Sequence, residues 1–269
     1  MGKELEVAKK AALAGARAAM RYYGKLQAAD VLPKGPDDAV TTADLASERS
    51  IISVIRKHFP EDGIIGEESG LSQRGSSGRY WALDPIDGTT NFIRGFDFFA
   101  VCVAVFRERE PIAAAVCLPV QKRLYTAERG RGAFCNGKRI RVSRESNMQK
   151  SIILCSISGV HRNPELFFPR FERILKQSRG VRVFNSCAAD LCFLAEGRAD
   201  GYFSTLVKLW DFAAAALVLQ EAGGRVVDDH GNDWRSYLSA NLRTARLAAS
   251  NRKIHKKLLD TIIKARGGL

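Results

Sequence analysis

Trp81-Ala-Leu-Asp-Pro-Ile-Asp-Gly-Thr-Thr-Asn-Phe92 sets two carboxylates three residues apart, between an apolar run and a Gly-Thr-Thr turn. Trp81 to Leu83 read as the end of a buried strand. Pro85 has no N–H to give a sheet ladder, so the chain is expected to leave the sheet at Asp84. Both acids then stand at the carboxyl end of a strand. Gly88 permits a tight turn and close approach of backbone to a ligand, and Thr89 or Thr90 caps a short helix whose first N–H groups suit an anion. Two carboxylates at the mouth of such a nest repel each other and a phosphate alike unless a cation sits between them. Hard divalent ions with oxygen ligands, Mg2+ first, meet that need. A generic Asp-x-x-Asp, by contrast, is ordinarily a capped turn whose acids satisfy loop amides.

Working upstream, Gly63-Ile-Ile-Gly66 reads as a short buried strand that delivers Glu67 and Glu68, and alternation along an extended chain lets only one of them face the pair of acids. Leu71 to Gly78 reads as a surface loop. Thr41 or Thr42 caps a helix running to His58, with Leu45, Ile51, Ile52, Val54 and Ile55 as its apolar stripe and Pro60 ending it. Asp44 lies in its first turn, where an acid ordinarily meets the helix dipole for roughly 0.3–1 kcal/mol. Leu32-Pro-Lys-Gly-Pro-Asp-Asp38 breaks regular structure and reads as a mobile loop carrying Lys34. Residues 4–23 have apolar residues at helical spacing and predict an amphipathic helix.

Downstream, Phe98 to Phe106, Ile112 to Leu118 and Arg123 to Ala127 read as strands, and Asn136-Gly137 as a hairpin turn. The polar run at 145–150 marks a boundary between an α+β sub-lobe, 1–147, and an α/β sub-lobe, 148–269. In the second, strands at Ser151 to Ser156, Val181 to Phe184, Gly201 to Phe203, Arg225 to Val227 and Ala245 to Ser250 are expected. Helices are expected at Pro164 to Gln177, Ala188 to Glu196, Trp210 to Ala222 and Lys253 to Ala265, an alternation that predicts a layered α/β arrangement. Asp211, opening an Ala-rich helix, is read alone as an N-terminal cap.

Asp84-Pro-Ile-Asp-Gly-Thr-Thr-Asn-Phe92 resembles the first signature of the inositol monophosphatase family, within the lithium-sensitive, metal-dependent phosphatase superfamily. Trp210-Asp-Phe-Ala-Ala-Ala-Ala-Leu-Val-Leu-Gln-Glu-Ala-Gly-Gly224 resembles its second signature. Val40-Thr-Thr-Ala-Asp44, Ile65-Gly-Glu-Glu-Ser69 and Asn136-Gly-Lys138 extend the likeness over nearly the whole chain, as one phosphatase unit. The resemblance implies an α/β (α+β) fold, a stacked α-β-α-β-α sandwich, and Mg2+ as cofactor in two or three ions. Glu67, Asp84, the Ile86 carbonyl and Thr89 would serve the first metal, and Asp84, Asp87 and Asp211 the second. A third ion would share Glu67. It further implies that Asp44 hydrogen-bonds the motif threonine and, with Thr89, orients the attacking water, and that the N–H groups of Gly88, Thr89 and Thr90 hold phosphate. Lys34, in a loop that closes near the metals in the family, would approach that phosphate. Hydrolysis would proceed by in-line attack of metal-activated water on inositol monophosphate or a related sugar or polyol phosphate, with no phosphoenzyme. Lithium inhibition and a homodimer are family expectations.

This chain departs from the family at its substrate contacts. A Gly-Ser/Thr-Ala segment common in the family is here Asn185-Ser186-Cys187, and a Glu that often precedes the metal-binding Asp by seven residues is here Ser204. Lys208 would favour a more anionic substrate. Fructose-1,6-bisphosphatase, 3′-phosphoadenosine 5′-phosphate phosphatase and histidinol-phosphatase activities remain alternatives within the superfamily, although Thr90-Asn91-Phe92 leans toward the inositol branch.

Composition bounds the rest. The chain has 269 residues and a net charge of +13, from 42 Lys+Arg against 29 Asp+Glu. Basic residues concentrate in 121–144 and 235–269, which reads as a solvated face, with an RNA- or transcription-associated role as the alternative from another class; no aromatic-interleaved RNA motif supports it. The longest apolar run, Phe98 to Phe106, is far short of a membrane span, and the start lacks a signal peptide's apolar stretch. Six cysteines without a Cys-x-x-Cys pair and four histidines without ligand spacing argue against zinc and for a reduced, cytoplasmic protein.

Overall fold

The computed structural model describes residues 2–35, 38–73, 75–235 and 244–264. Alternation along the strands dictates its layers. In the middle of an eight-stranded sheet, Trp81, Leu83, Val101, Val103 and Val105 point to one face and Ala82, Cys102, Ala104 and Phe106 to the other, and both sets are buried. A sheet apolar on both faces must be covered on both. The first face packs against helices α1 (Lys3–Ala19) and α2 (Thr42–His58).

A hairpin, β1 (Val31–Gly35) and β2 (Asp38–Thr41), joins those helices. The sheet itself comprises β3 (Gly63–Gly66), β4 (Gly70–Gln73), β5 (Arg79–Asp87), β6 (Ala100–Arg107), β7 (Glu110–Leu118), β8 (Arg123–Glu128), β9 (Gly132–Cys135) and β10 (Lys138–Arg139), in the order β10-β9-β8-β7-β6-β5-β3-β4. A short helix, α3 (Thr89–Ile93), follows β5. The five-stranded sheet takes β11 (Ile152–Cys155), β12 (Gly180–Arg182), β13 (Gly201–Val207), β14 (Arg225–Asp228) and β15 (Ala245–Ser250), in the order β12-β11-β13-β15-β14.

The remaining helices are α4 (Pro164–Gln177), α5 (Cys187–Ala195), α6 (Leu209–Glu221) and α7 (His255–Lys264). Tyr202, Val226 and Ala249 of the smaller sheet share one core with α5, α6 and the larger sheet, whereas Phe203, Val227 and Ala248 pack with α4 and α7. The result is the α-β-α-β-α sandwich. Every residue of α5 is buried, and α6 is buried over all but Asp211 and its last two residues, as helices clamped between two sheets must be. Their many alanines and small side chains let the sheets approach.

Several expected boundaries are corrected. The strand does not stop at Asp84: β5 continues to Asp87, and Pro85 sits in an irregularity between the pairs Asp84↔Cys102 and Asp87↔Ala100, where the ladder needs no N–H from it. The expected loop at 32–38 contains β1, whose backbone pairs with β2 in a two-stranded ribbon, and the expected loop at 71–78 begins with β4 on the sheet edge. The first helix ends at Ala19, not residue 23, and the strand expected at Val181 to Phe184 is Gly180–Arg182. Residues 36–37, Arg74 and the expected helix end at Ala265 lie outside the described residues. The Asn136-Gly137 turn is present, with both residues at positive φ, 49° and 78°.

Candidate active site

A cleft of about 300 Å3 opens where the carboxyl end of β5, the start of α3, the start of α5 and the start of α6 converge. Glu67, Asp84, Ile86, Asp87, Gly88, Thr89, Thr90, Asn185, Cys187 and Asp211, which the sequence singled out, all line it. One oxygen from each of Glu67, Asp84 and Asp211 falls within a group no more than 4.8 Å across. The acids are held by their own backbone: Asp84 Oδ1 accepts from the Ile86 N–H (2.9 Å), and Asp211 Oδ2 from the Lys208 N–H (2.8 Å). Each leaves its second oxygen for the cleft.

Burial, then repulsion from Glu67 and Asp87, pushes the Asp84 and Asp211 carboxyls well above their ordinary range. A compact set of oxygen donors that resist carrying negative charge together is the donor set a hard divalent cation fits.

Asp87 is placed differently from the other two. Its carboxylate accepts from the Ser186 hydroxyl (2.5 Å) and the Cys187 and Ala188 N–H groups (3.2 and 2.8 Å), capping α5 from outside the helix. Burial raises its pKa to about 6 against the pull of these donors. A carboxylate has about four lone-pair sites, so three accepted bonds leave Asp87 one for a further partner.

Thr89 donates its hydroxyl to the Ile86 carbonyl (3.1 Å), while Asp44 Oδ2 accepts from the Thr41 N–H and hydroxyl (2.7 and 2.6 Å) in a capping box. The hydroxyl partner of Asp44 is therefore Thr41. Asp44 stands behind the cleft wall, fully buried, with Oδ1 unpartnered among the described residues, and burial raises its carboxyl to about 7. Gly88 enters α3 at φ +93°, and a Cβ there would lie 3.0 Å from the Phe98 carbonyl.

Two lysines reach the acids. Lys34 Nζ pairs with Glu67 (3.3 Å) and Glu68 (2.8 Å), and Lys208 Nζ with Glu67 (3.6 Å). Of the two glutamates only Glu67 lines the cleft and joins the acids, as expected, although β3 ends at Gly66 before either of them, so strand alternation is not what separates them. Asn185 (φ +59°) uses its side-chain oxygen to gather Ser156, Ile157 and Ser158, and both Asn185 and Cys187 line the cleft.

Ser186 and Ser204 are not on the cleft wall. Ser186 is buried as the cap of α5, and Ser204 shares the face of β13 with Tyr202, turned into the core toward α5 and α6.

Sequence reasoning missed the supports. Ser47 donates to the Pro85 carbonyl (3.0 Å), and Glu48 accepts from the Glu68 and Ser69 N–H groups. With Asp44 they stand at i, i+3 and i+4 on one face of α2, a spacing that was legible. Asn91 bridges the carbonyls of Phe98 and Phe184, tying α3 to the segment before Asn185.

A sequence model described as "Inositol monophosphatase family" matches residues 2–267. The inositol-1-monophosphatase of Mesorhizobium japonicum is 36% identical over 265 residues, covering 97% of this chain and 96% of that protein. The fructose-1,6-bisphosphatase/inositol-1-monophosphatase of Aquifex aeolicus is 40% identical over 223 residues, 82% and 84% of the two chains. The Nus factor SuhB of Pasteurella multocida is 35% identical over 263 residues, 97% and 96%. Among solved structures, the extragenic suppressor protein suhB of Bartonella henselae superposes with a TM-score of 0.87 at 33% identity, over 96% of this chain and 98% of that one. The match over nearly the full length, on a layered fold with its acids at one cleft, makes the chain a member of the inositol monophosphatase family.

Proposed function

We propose that the chain is a Mg2+-dependent phosphomonoesterase acting on inositol monophosphate or a related sugar or polyol phosphate. The observation that carries this reading is the convergence of Glu67, Asp84 and Asp211 oxygens within 4.8 Å at the start of α3. These three acids, with the spare lone pair of Asp87 and the Ile86 carbonyl beside them, would hold two or three Mg2+ ions, which supply charge neutralisation and a water of lowered pKa.

The chain's own groups do the rest. The first N–H groups of α3, from Gly88 to Thr90, have no intrahelical acceptor and would receive phosphate oxygens. The Thr89 hydroxyl would orient the attacking water. Asp44, behind it with an unpartnered oxygen and a pKa near 7, would draw on that water's proton. The new P–O bond forms as the opposite ester bond breaks, and the leaving alkoxide takes a proton.

Asn185 and Cys187 would meet the released alcohol. Lys208, which also lines the cleft, would extend the range toward more anionic esters. We propose likewise that the protein is lithium-sensitive, cytoplasmic and homodimeric, the last read by light scattering.

The test is phosphate release with Mg2+ from inositol 1-phosphate, fructose 1,6-bisphosphate, 3′-phosphoadenosine 5′-phosphate and histidinol phosphate. Full activity in a chelator would sink the reading. A second reading, an RNA- or transcription-associated role, is favoured by the charge of +13 and by the name Nus factor SuhB of the Pasteurella relative. Salt-dependent RNA binding that survives Asp87→Asn supports it, and no binding at low salt removes it.

A further inference from the structure

A second cavity, of about 370 Å3, shares no residue with the catalytic cleft. Gln220 near the end of α6, Arg225 opening β14, Arg252 after β15 and His255 opening α7 converge on it. Neither Arg225 nor Arg252 has a carboxylate partner among the described residues; Arg252 Nε donates to the Gly224 carbonyl (3.3 Å). Among the described residues the acid on the wall is Asp233, which is taken up by Arg235, whose Nε stands 2.9 Å from Oδ1.

His255 is 5% exposed. Its Nδ1 lies 2.8 Å from the Ser250 hydroxyl, and its Nε2 is buried with no partner among the described residues. Burial and the two guanidiniums push its pKa down to about 4, so the ring is neutral. Ser250 Oγ already accepts from the Arg252 N–H (3.2 Å). In the tautomer in which the Ser250 hydroxyl donates to Nδ1, the neutral imidazole carries its own proton on Nε2, a donor without an acceptor among the described residues. The cavity thus gathers positive potential and unused N–H donors.

We propose that this cavity is a second anion site, which takes a phosphoryl group between the guanidiniums of Arg225 and Arg252 and the Nε2–H of His255. Planar guanidinium forks match the oxygens of a phosphate, and the cavity has room for an organic body beyond it. The occupant is inorganic phosphate or a small phosphate ester. Because the site lies apart from the cleft, its fate is independent of the catalytic reading.

The test follows the His255 ring by NMR in the full-length protein, assigned by loss of its signals in His255→Gln. Inorganic phosphate and glucose 6-phosphate are titrated separately at constant ionic strength. Saturable shifts of the His255 signals are expected, with a rise in its pKa as the anion offsets the guanidiniums. Tighter binding of the ester than of free phosphate identifies an ester site, and the reverse a phosphate site.

Arg252 sits at φ +70°, which glycine adopts freely, so Arg252→Gly removes the guanidinium without asking the backbone for a new conformation. Combined with Arg225→Gln, it is expected to weaken binding at least about tenfold and to leave phosphate release from the catalytic cleft unchanged. Absence of any saturable His255 shift up to ~50 mM of either probe, or equal affinity in the double variant, overturns the proposal.

Discussion

Replacing Asp62 by alanine tests how the strand that carries the motif is anchored. Asp62 is fully buried, and its carboxylate accepts from the Ser77 hydroxyl (2.6 Å), Arg79 Nε and Nη2 (3.0 and 3.2 Å) and the Trp81 indole N–H (2.8 Å). Trp81 is itself fully buried, so Asp62→Ala leaves its N–H in the core without an acceptor, at about 1–3 kcal/mol. Arg79 loses a paired acid for roughly another 1 kcal/mol, since it keeps its position over the Phe59 ring. The sum is about 2–4 kcal/mol, a large share of the 5–15 kcal/mol of a typical fold.

Urea unfolding in a chelator at pH 7, compared at equal m-value, measures it. Burial alone would raise the Asp62 pKa, but Arg79, Ser77 and Trp81 together hold it below the usual value. Its contribution is therefore present above the unfolded pKa near 3.8 and lost as pH falls through the folded one, so wild type and variant converge in acid. Adding Trp81→Phe to Asp62→Ala removes the orphaned donor and should recover about 1 kcal/mol or more. A loss below about 1 kcal/mol, or no coupling in the double variant, refutes the reasoning.

Asp84→Asn should cut phosphate release by at least ~100-fold, yet its melting temperature in a chelator should not fall, because it relieves repulsion from Glu67, Asp87 and Asp211. Gly88→Ala should lower both stability, by about 1–2 kcal/mol, and activity, since φ +93° strains any side chain and its Cβ meets the Phe98 carbonyl; equal calorimetric stability would contradict this. Asp190 of α5 is fully buried with neither oxygen partnered among the described residues, and burial raises its pKa far above the usual range. It folds protonated, so its stability term is complete below pH 3.8 and declines as pH rises toward the folded value; Asp190→Asn should flatten that slope in stability–pH curves.

The layered fold and the acids at the cleft were legible because period-2 and period-3.6 patterns are strong and the two signature strings are local. Ladder details were not. Pro85 argued for a strand end, and only the register of β6 shows that an irregularity absorbs it. Ser204 and Ser186 were assigned to substrate from positions matched to the family resemblance, which says nothing about which face of β13 or which end of α5 they occupy. The Asp62–Trp81 bond joins residues whose partnership depends on how the segment between them turns back, and no spacing rule encodes that.

The alanine-rich pair α5 and α6 acts as a gauge block. Asp84 and Asp87 ride on the larger sheet, Lys208 follows a strand of the smaller one, and Asp211 and Asn185 stand at or beside the ends of the helices clamped between them. The width of that filling fixes how far apart the walls of the cleft stand. Thickening it at Ala214 or Ala215, both essentially unexposed, would wedge the sheets apart for about 1–3 kcal/mol and detune a site whose own side chains are untouched.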